Sequence, residues 1–137
     1  MDDMRKELLK ALGYSEKAVD VLDAELHYGE LDGPTISVRH QAGCGDVLML
    51  DLRIEENIIR DAAFRFVGCS GLQASASGVA EMVIGKSIDE AERIEMQDIV
   101  DWLEGLPRNK FECAEASSIT LHKAIAEYRA RTKMADS

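Results

Sequence analysis

Long apolar runs, a surplus of positive charge and an even set of cysteines are all missing from this chain. No hydrophobic run approaches the ~18 residues of a membrane span, and Met1-Asp2-Asp3 lacks the basic-then-apolar order of a secretory signal. A cytoplasmic protein is therefore expected. With 26 acidic against 16 basic residues the formal charge is -10, which repels phosphate backbones and anionic lipids and argues against nucleic acid and membrane partners. The scattered basic residues form only one small patch, Arg129, Arg131 and Lys133, which suits a solvated helix end. Three cysteines are poor material for a disulfide framework and good material for a metal or sulfur site in a compartment that keeps thiols reduced. There is no internal repeat, low-complexity tract or second domain. Residues 1–137 read as one domain, and 46% hydrophobic residues supply a core without metal as a condition for folding.

Hydrophobic periodicity lays out an α+β chain. Met4, Leu8, Leu9 and Leu12 recur at helical spacing and predict a short amphipathic helix over 2–12, stopped by Gly13. Ser15 is a helix cap for a second stripe, Ala18, Val19, Leu22 and Leu26, broken by Gly29 and Gly33-Pro34. From Thr35 the period becomes two. Ile36 and Val38, then Leu48, Leu50, Leu52 and Ile54, then Ala62, Phe64 and Phe66 mark three half-buried strands, the last two joined through Glu55-Glu56-Asn57. Three short strands make an antiparallel meander with one face for helices. A helix after Gly71 follows, carrying Leu72, Ala76, Val79, Ala80 and Val83, with a run of small residues at 74–78 that suits close packing. Ser87 caps a short acidic helix, Gln97 to Glu104 reads as another, Gly105-Leu106-Pro107 interrupts, and a final helix spans about Cys113 to Arg131.

The strand pattern brings two cysteines to one end of the sheet. Folding the hairpin at residue 56 pairs positions whose numbers sum to about 112 or 113, and Cys44 with Cys69 satisfies that rule. Asp46 projects from the same loop as Cys44. Cys69 and Cys113 each stand at the start of a helix, where free N–H groups and the helix dipole favour thiolate over thiol. Gly43, Gly45, Gly68 and Gly71 flank two of the sulfurs and permit close backbone approach to a bound ion. Lys110, three residues before Cys113, is placed to stabilise a thiolate or persulfide, and His40 is near enough to Cys44 in sequence to serve as an alternative ligand.

Other chemistries fit less well. His122 falls nine residues after Cys113, roughly half a turn around an ideal helix, so it faces away and gives no cysteine–histidine nucleophile. A structural zinc domain for protein contacts would carry paired C-x-x-C knuckles, which are absent.

The motifs together resemble a known family. Cys44-Gly45-Asp46, Phe66-Val67-Gly68-Cys69-Ser70-Gly71 leading into Ala74-Ser75-Ala76-Ser77, and Cys113 opening a helix are similar to the iron–sulfur cluster assembly scaffolds of the IscU/NifU N-terminal type. The resemblance runs from about Tyr14 to Tyr128, leaving residues 1–13 as an N-terminal helical extension. It implies a non-enzymatic scaffold on which iron and sulfur from a cysteine desulfurase become a transient 2Fe-2S cluster, later passed to apo iron–sulfur proteins. It further implies that Cys44, Cys69 and Cys113 accept sulfur and hold the cluster, with Asp46 as the exchangeable fourth ligand. A carboxylate oxygen is a harder, weaker partner for iron than thiolate, which suits a cluster that must leave. Two positions depart from the family pattern. Glu112 stands where histidine is common, making it an alternative oxygen ligand, and Leu106-Pro107-Arg108-Asn109-Lys110 matches three of five positions of an Hsp70-type chaperone element. The related SufU-type branch, a zinc-bound sulfur acceptor, carries an insertion for which the 43 residues between Cys69 and Cys113 leave no room. Zinc nevertheless suits three thiolates and a carboxylate. A homodimer is left open.

Overall fold

The computed structural model describes residues 1–135. Two short helices, α1 (Asp3–Ala11) and α2 (Glu16–Ala24), precede strands β1 (Ile36–Gln41), β2 (Val47–Glu55) and β3 (Ile58–Val67). Helices α3 (Ser70–Val83), α4 (Ile88–Glu92), α5 (Met96–Trp102) and α6 (Phe111–Ala135) follow, with a 3-10 turn at Arg108–Lys110 leading into α6. The strands form one antiparallel sheet in the order β1-β2-β3, the meander expected from the alternating pattern. Glu56 and Asn57 both adopt left-handed φ (53° and 62°), the geometry that lets a two-residue hairpin follow the strand twist. Beside this turn the register is the expected one. A bulge between Arg53 and Ile54 then shifts it by one residue, so that Val47 pairs with Val67 at the far end.

Leu48, Leu50, Leu52, Ile54, Ile59, Ala62 and Phe64 are buried with the inner faces of α3 and α6. The small residues of α3 let α6 come close, and Gly78 leaves room for the Trp102 ring, which a Cβ there would meet at 3.2 Å. Lys17 of α2 places its ammonium over the same indole, 4.0 Å from its centroid, and so ties α2 to α5. Buried hydroxyls are satisfied within the helical layer: Ser75 donates to Gly71 O and Thr120 to Ala116 O, each at 2.7 Å.

The free edge of β3 is covered by backbone rather than left open. The Phe64 N–H donates to His27 O and its carbonyl accepts from the Gly29 N–H, while Ile59 exchanges hydrogen bonds with Gly85 and Lys86. Asp51 departs from simple alternation, which placed it toward solvent. It is 4% exposed, because its carboxylate accepts from Ser37 Oγ (2.6 Å) and Leu31 N–H (3.2 Å) and so holds the loop after α2 over the sheet.

Helix boundaries differ from the periodic reading where caps decide them. Asp2 caps α1 through its side chain and Ser15 caps α2, as the residue types indicate. The second helix nevertheless ends at Ala24, since Glu25 and His27 turn left-handed. The apolar stripe of α1 is not a core face: only Leu9 is buried, while Met4, Leu8 and Leu12 are exposed. The helix is held at its start instead, where the N-terminal ammonium and Lys6 both bridge to Asp23. In the C-terminal patch, Arg129 bridges to Asp89 and Glu92 and Arg131 to Glu127.

Candidate functional site

The β2–β3 hairpin delivers Cys69 two residues beyond the end of its ladder, where it becomes the N-cap of α3. Its extended φ/ψ (-93°, 172°) points the following turn's N–H groups back toward the sulfur. Cys113 arrives from the opposite side, in the first turn of α6. The two sulfurs stand 3.6 Å apart. That spacing is close to the ~3.8 Å edge of a tetrahedral site with ~2.3 Å metal–sulfur bonds, so the pair already has the separation of two ligands on one ion.

The two thiols differ sharply in acidity. Burial pushes Cys69 up, but the Leu72 N–H, the Cys113 sulfur, the Lys110 ammonium and the Gly71 N–H together outweigh it and hold the thiol below its ordinary value. Burial also pushes Cys113 up, and there the charge on Cys69 adds to it, so that Cys113 rises to about 12 against the weaker pull of Lys110. The expectation that both helix starts stabilise thiolate therefore holds for Cys69 alone. Helix α6 begins at Phe111, so Cys113 lies inside it, 7% exposed and beside a sulfur that ionises first. Iodoacetamide near pH 8 is accordingly expected to modify Cys69 at least roughly tenfold faster than Cys113, with the Cys69 rate falling as pH drops through its thiolate range. Peptide mass spectrometry over a time course checks this order.

Lys110 reaches the pair because Gly71 has no side chain. A Cβ at Gly71 would lie 3.0 to 3.1 Å from the Lys110 Cβ, Cγ and Cδ, so the lysine stem lies across the glycine with its charge near Cys69. Gly68 does the same for Asp46, whose Cγ and Oδ2 would stand 2.8 Å from an added Cβ. The carboxylate thereby lies over Gly68, at the β3–α3 connection.

Cys44 occupies the turn between β1 and β2, closed by the Ala42 N–H to Asp46 O bond (2.8 Å) and by Gly45 at φ 96°. It is exposed. A cavity of about 320 Å³ is lined by Cys44, Asp46, His40, Glu112 and Cys113 among others, so every oxygen, nitrogen and two of three sulfur candidates face one space. Among the described residues no three such side chains yet stand together as a ligand set. The Cys69 and Cys113 sulfurs stand together, while Cys44 and Asp46 lie on the glycine-flanked turn between β1 and β2.

The periodic reading assigned no role to Tyr14. Its ring is buried, and burial first, then the charges of Cys69 and Cys113, push its phenol up to about 12 against the Gly71 N–H. The signal available in sequence was its place between Gly13 and the Ser15 cap. Gly13, at φ 104°, packs against Pro107, which directs the connection toward the sulfur pair. His122 is turned away as expected, with Nε2 2.9 Å from Ile94 O.

The order, spacing and setting of these residues match a described group of proteins. The NifU-like N terminal domain model covers residues 13–135. The chain belongs to the NifU-like N-terminal family. This NifU-like chain is 37% identical over 125 residues to the iron–sulfur cluster assembly scaffold protein IscU of Escherichia coli K12, covering 88% of the chain and 97% of that relative. It is 36% identical to the iron–sulfur cluster assembly protein IscU of Plasmodium falciparum, covering 85% of the chain and 74% of the relative. An IscU scaffold of Archaeoglobus fulgidus is 30% identical, with coverages of 84% and 76%. Solved structures share the fold. A putative iron–sulfur cluster assembly scaffold protein for the SUF system from Fervidobacterium islandicum superposes with a TM-score of 0.68 at 22% identity, covering 82% of this chain and 96% of that one. A NifU-like N-terminal protein of Brucella abortus gives 0.65 at 20% identity, with coverages of 88% and 94%. Helix α1 precedes the matched region, as the sequence pattern indicated, and among the described residues no helix is long and apolar enough to cross a membrane.

Proposed function

We propose that this NifU-like chain is a scaffold on which a 2Fe-2S cluster is assembled from iron and desulfurase-derived sulfur, then passed to apo iron–sulfur proteins. The observation that carries the reading is the 3.6 Å sulfur pair with one acidified thiol, with the Asp46 carboxylate resting against Gly68, the residue before Cys69. Cys44, Cys69 and Cys113 accept sulfur and ligate the cluster, and Asp46 is the fourth ligand. Glu112 and His40 line the same cavity as alternative oxygen and nitrogen donors, and Lys110 offsets the charge of the sulfurs. Residues 1–137 form one such domain with 1–13 as an extension, of which 136 and 137 lie outside the described residues.

Sulfur enters by exchange. A thiolate attacks the terminal sulfur of a donor persulfide, a new S–S bond forms on the scaffold, the donor's S–S bond breaks, and the donor cysteine leaves as thiolate. No net oxidation occurs, and the scaffold thiolate is itself converted to the persulfide, so the chain is a stoichiometric acceptor rather than a turnover catalyst. Cys69, ionised first, is the chemically ready nucleophile of the buried pair. Zinc is the second reading, because the same sulfur spacing suits a tetrahedral zinc ion in a sulfur-relay protein.

Anaerobic incubation with ferrous iron, cysteine, a cysteine desulfurase and a thiol reductant, which with the iron supplies the electrons that turn persulfide sulfur into sulfide, is expected to develop the visible absorption of an oxidised two-iron cluster. Colourless protein holding only zinc would favour the relay reading. In the same assay Asp46→Ala is expected to slow transfer to an apo-ferredoxin roughly tenfold, since loss of a weak oxygen corner leaves the more tightly held thiolate ligation. Unchanged or faster transfer would remove Asp46 from that role.

A further inference from the structure

Two cavities lie end to end along α6. Beyond the one that holds Cys44 and Cys113 is a second of about 410 Å³, bounded by Glu95, Met96 and His122 among others, and the two share Glu115 and Ile119. Together they make one groove that leads away from the sulfur site. Its apolar ridge is Ile119, 44% exposed, with the partly exposed Met96 beyond it. Its charge has one sign: Asp46, Glu95, Glu112 and Glu115 line it and no lysine or arginine does. None of these four carboxylates takes part in an ion pair among the described residues. Two histidines also line it, His40 at the sulfur end and His122, whose Nε2 lies 2.9 Å from Ile94 O.

An apolar ridge between unpaired carboxylates complements a segment that carries an apolar side chain flanked by lysine or arginine. A second copy of this chain supplies that poorly: beside the exposed Met4, Leu8 and Leu12 of α1, Lys6 is bridged to Asp23 and Lys10 to Glu7, and in the C-terminal patch Arg129 and Arg131 are bridged to Asp89, Glu92 and Glu127. Access decides between the remaining partners. Cys113 is 7% exposed and Cys69 is half-buried, so a flat protein surface cannot bring a reactive sulfur to them. A donor must extend a segment inward, and the groove is continuous with that space. We propose that the α6 groove seats a flexible, basic segment of the sulfur-donating protein, its apolar residue against Ile119 and Met96 and its cations between Glu95 and Glu115. The inference rests on the sulfur-acceptor reading above and names the surface through which the donor approaches.

The test compares two sulfur sources. Persulfide formation on the full chain is followed by mass spectrometry as chain concentration is varied, with the cysteine desulfurase of the same organism and, separately, with cysteine persulfide as a small donor. Glu95→Lys/Glu115→Lys and Ile119→Asp are each expected to raise the half-saturating concentration with the enzyme about tenfold or more, and to load normally from the small donor. Added salt is expected to weaken the unaltered chain and not the double lysine variant. Unchanged half-saturation in both variants with normal small-donor loading overturns the groove and leaves the acceptor reading standing. Failure of the unaltered chain to take sulfur from either source overturns the acceptor reading and the groove with it. Self-association of the unaltered chain that both variants abolish would assign the groove to a second copy.

Discussion

Cys113→Ser is expected to abolish retention of an assembled cluster, reducing its visible absorption to below about a tenth of the unaltered chain under anaerobic reconstitution. Serine matches cysteine in shape, so the variant should fold; unchanged far-ultraviolet circular dichroism checks that. Its hydroxyl does not ionise in the accessible pH range, and at a site 7% exposed there is little solvent to help it do so. The remaining sulfur of the pair then has no partner at 3.6 Å with which to grip an ion. Cys69→Ser should be as severe, and it should also remove the acidified thiol of the pair, leaving the exposed Cys44 as the readily alkylated cysteine. A variant that keeps more than half of the absorption would show that Cys113 is a buried neighbour of the site rather than a ligand.

The second large effect is on stability. Phe64→Ala is expected to destabilise the fold by about 3–5 kcal/mol in denaturant unfolding. Phe64 is fully buried, and its ring meets Tyr28 edge-on at 5.7 Å and Phe66 at 6.1 Å. Its backbone pairs with Leu50 on one side and with His27 and Gly29 on the other, so truncation opens a cavity where the sheet, its covered edge and the helical layer meet. Leu12→Ala, by contrast, should change stability by less than about 0.5 kcal/mol, since Leu12 is 68% exposed. A loss below about 1 kcal/mol for Phe64→Ala would mean that the site collapses around the missing ring.

Much of this was legible because local rules and the global fold agree. The period-two runs needed only the Glu56-Asn57 turn to fix their pairing, and that turn placed Cys44 and Cys69 at one sheet end with an error of one residue. The error came from a bulge, which leaves no trace in an alternating pattern. Asp51 misled because alternation assigns a face, whereas its burial depends on a loop from α2 folding over that face. The stripe of α1 misled in the opposite sense: periodicity shows that a face is apolar and not that anything covers it.

The sequence by itself determined the element types, the meander and the placing of Cys44 and Cys69 at one end of the sheet with Asp46 in the same loop as Cys44, because each depends on spacing along the chain. Only the tertiary structure decided how those groups differ. The Cys69–Cys113 contact joins residues 44 apart, and the acidity of each thiol depends on which N–H groups, cations and sulfurs surround it. Glycines at 68 and 71 have their effect through the side chains of Asp46 and Lys110 that pass over them. Such effects arise from burial and from charges only a few ångströms apart, and residue order carries neither until the chain has packed.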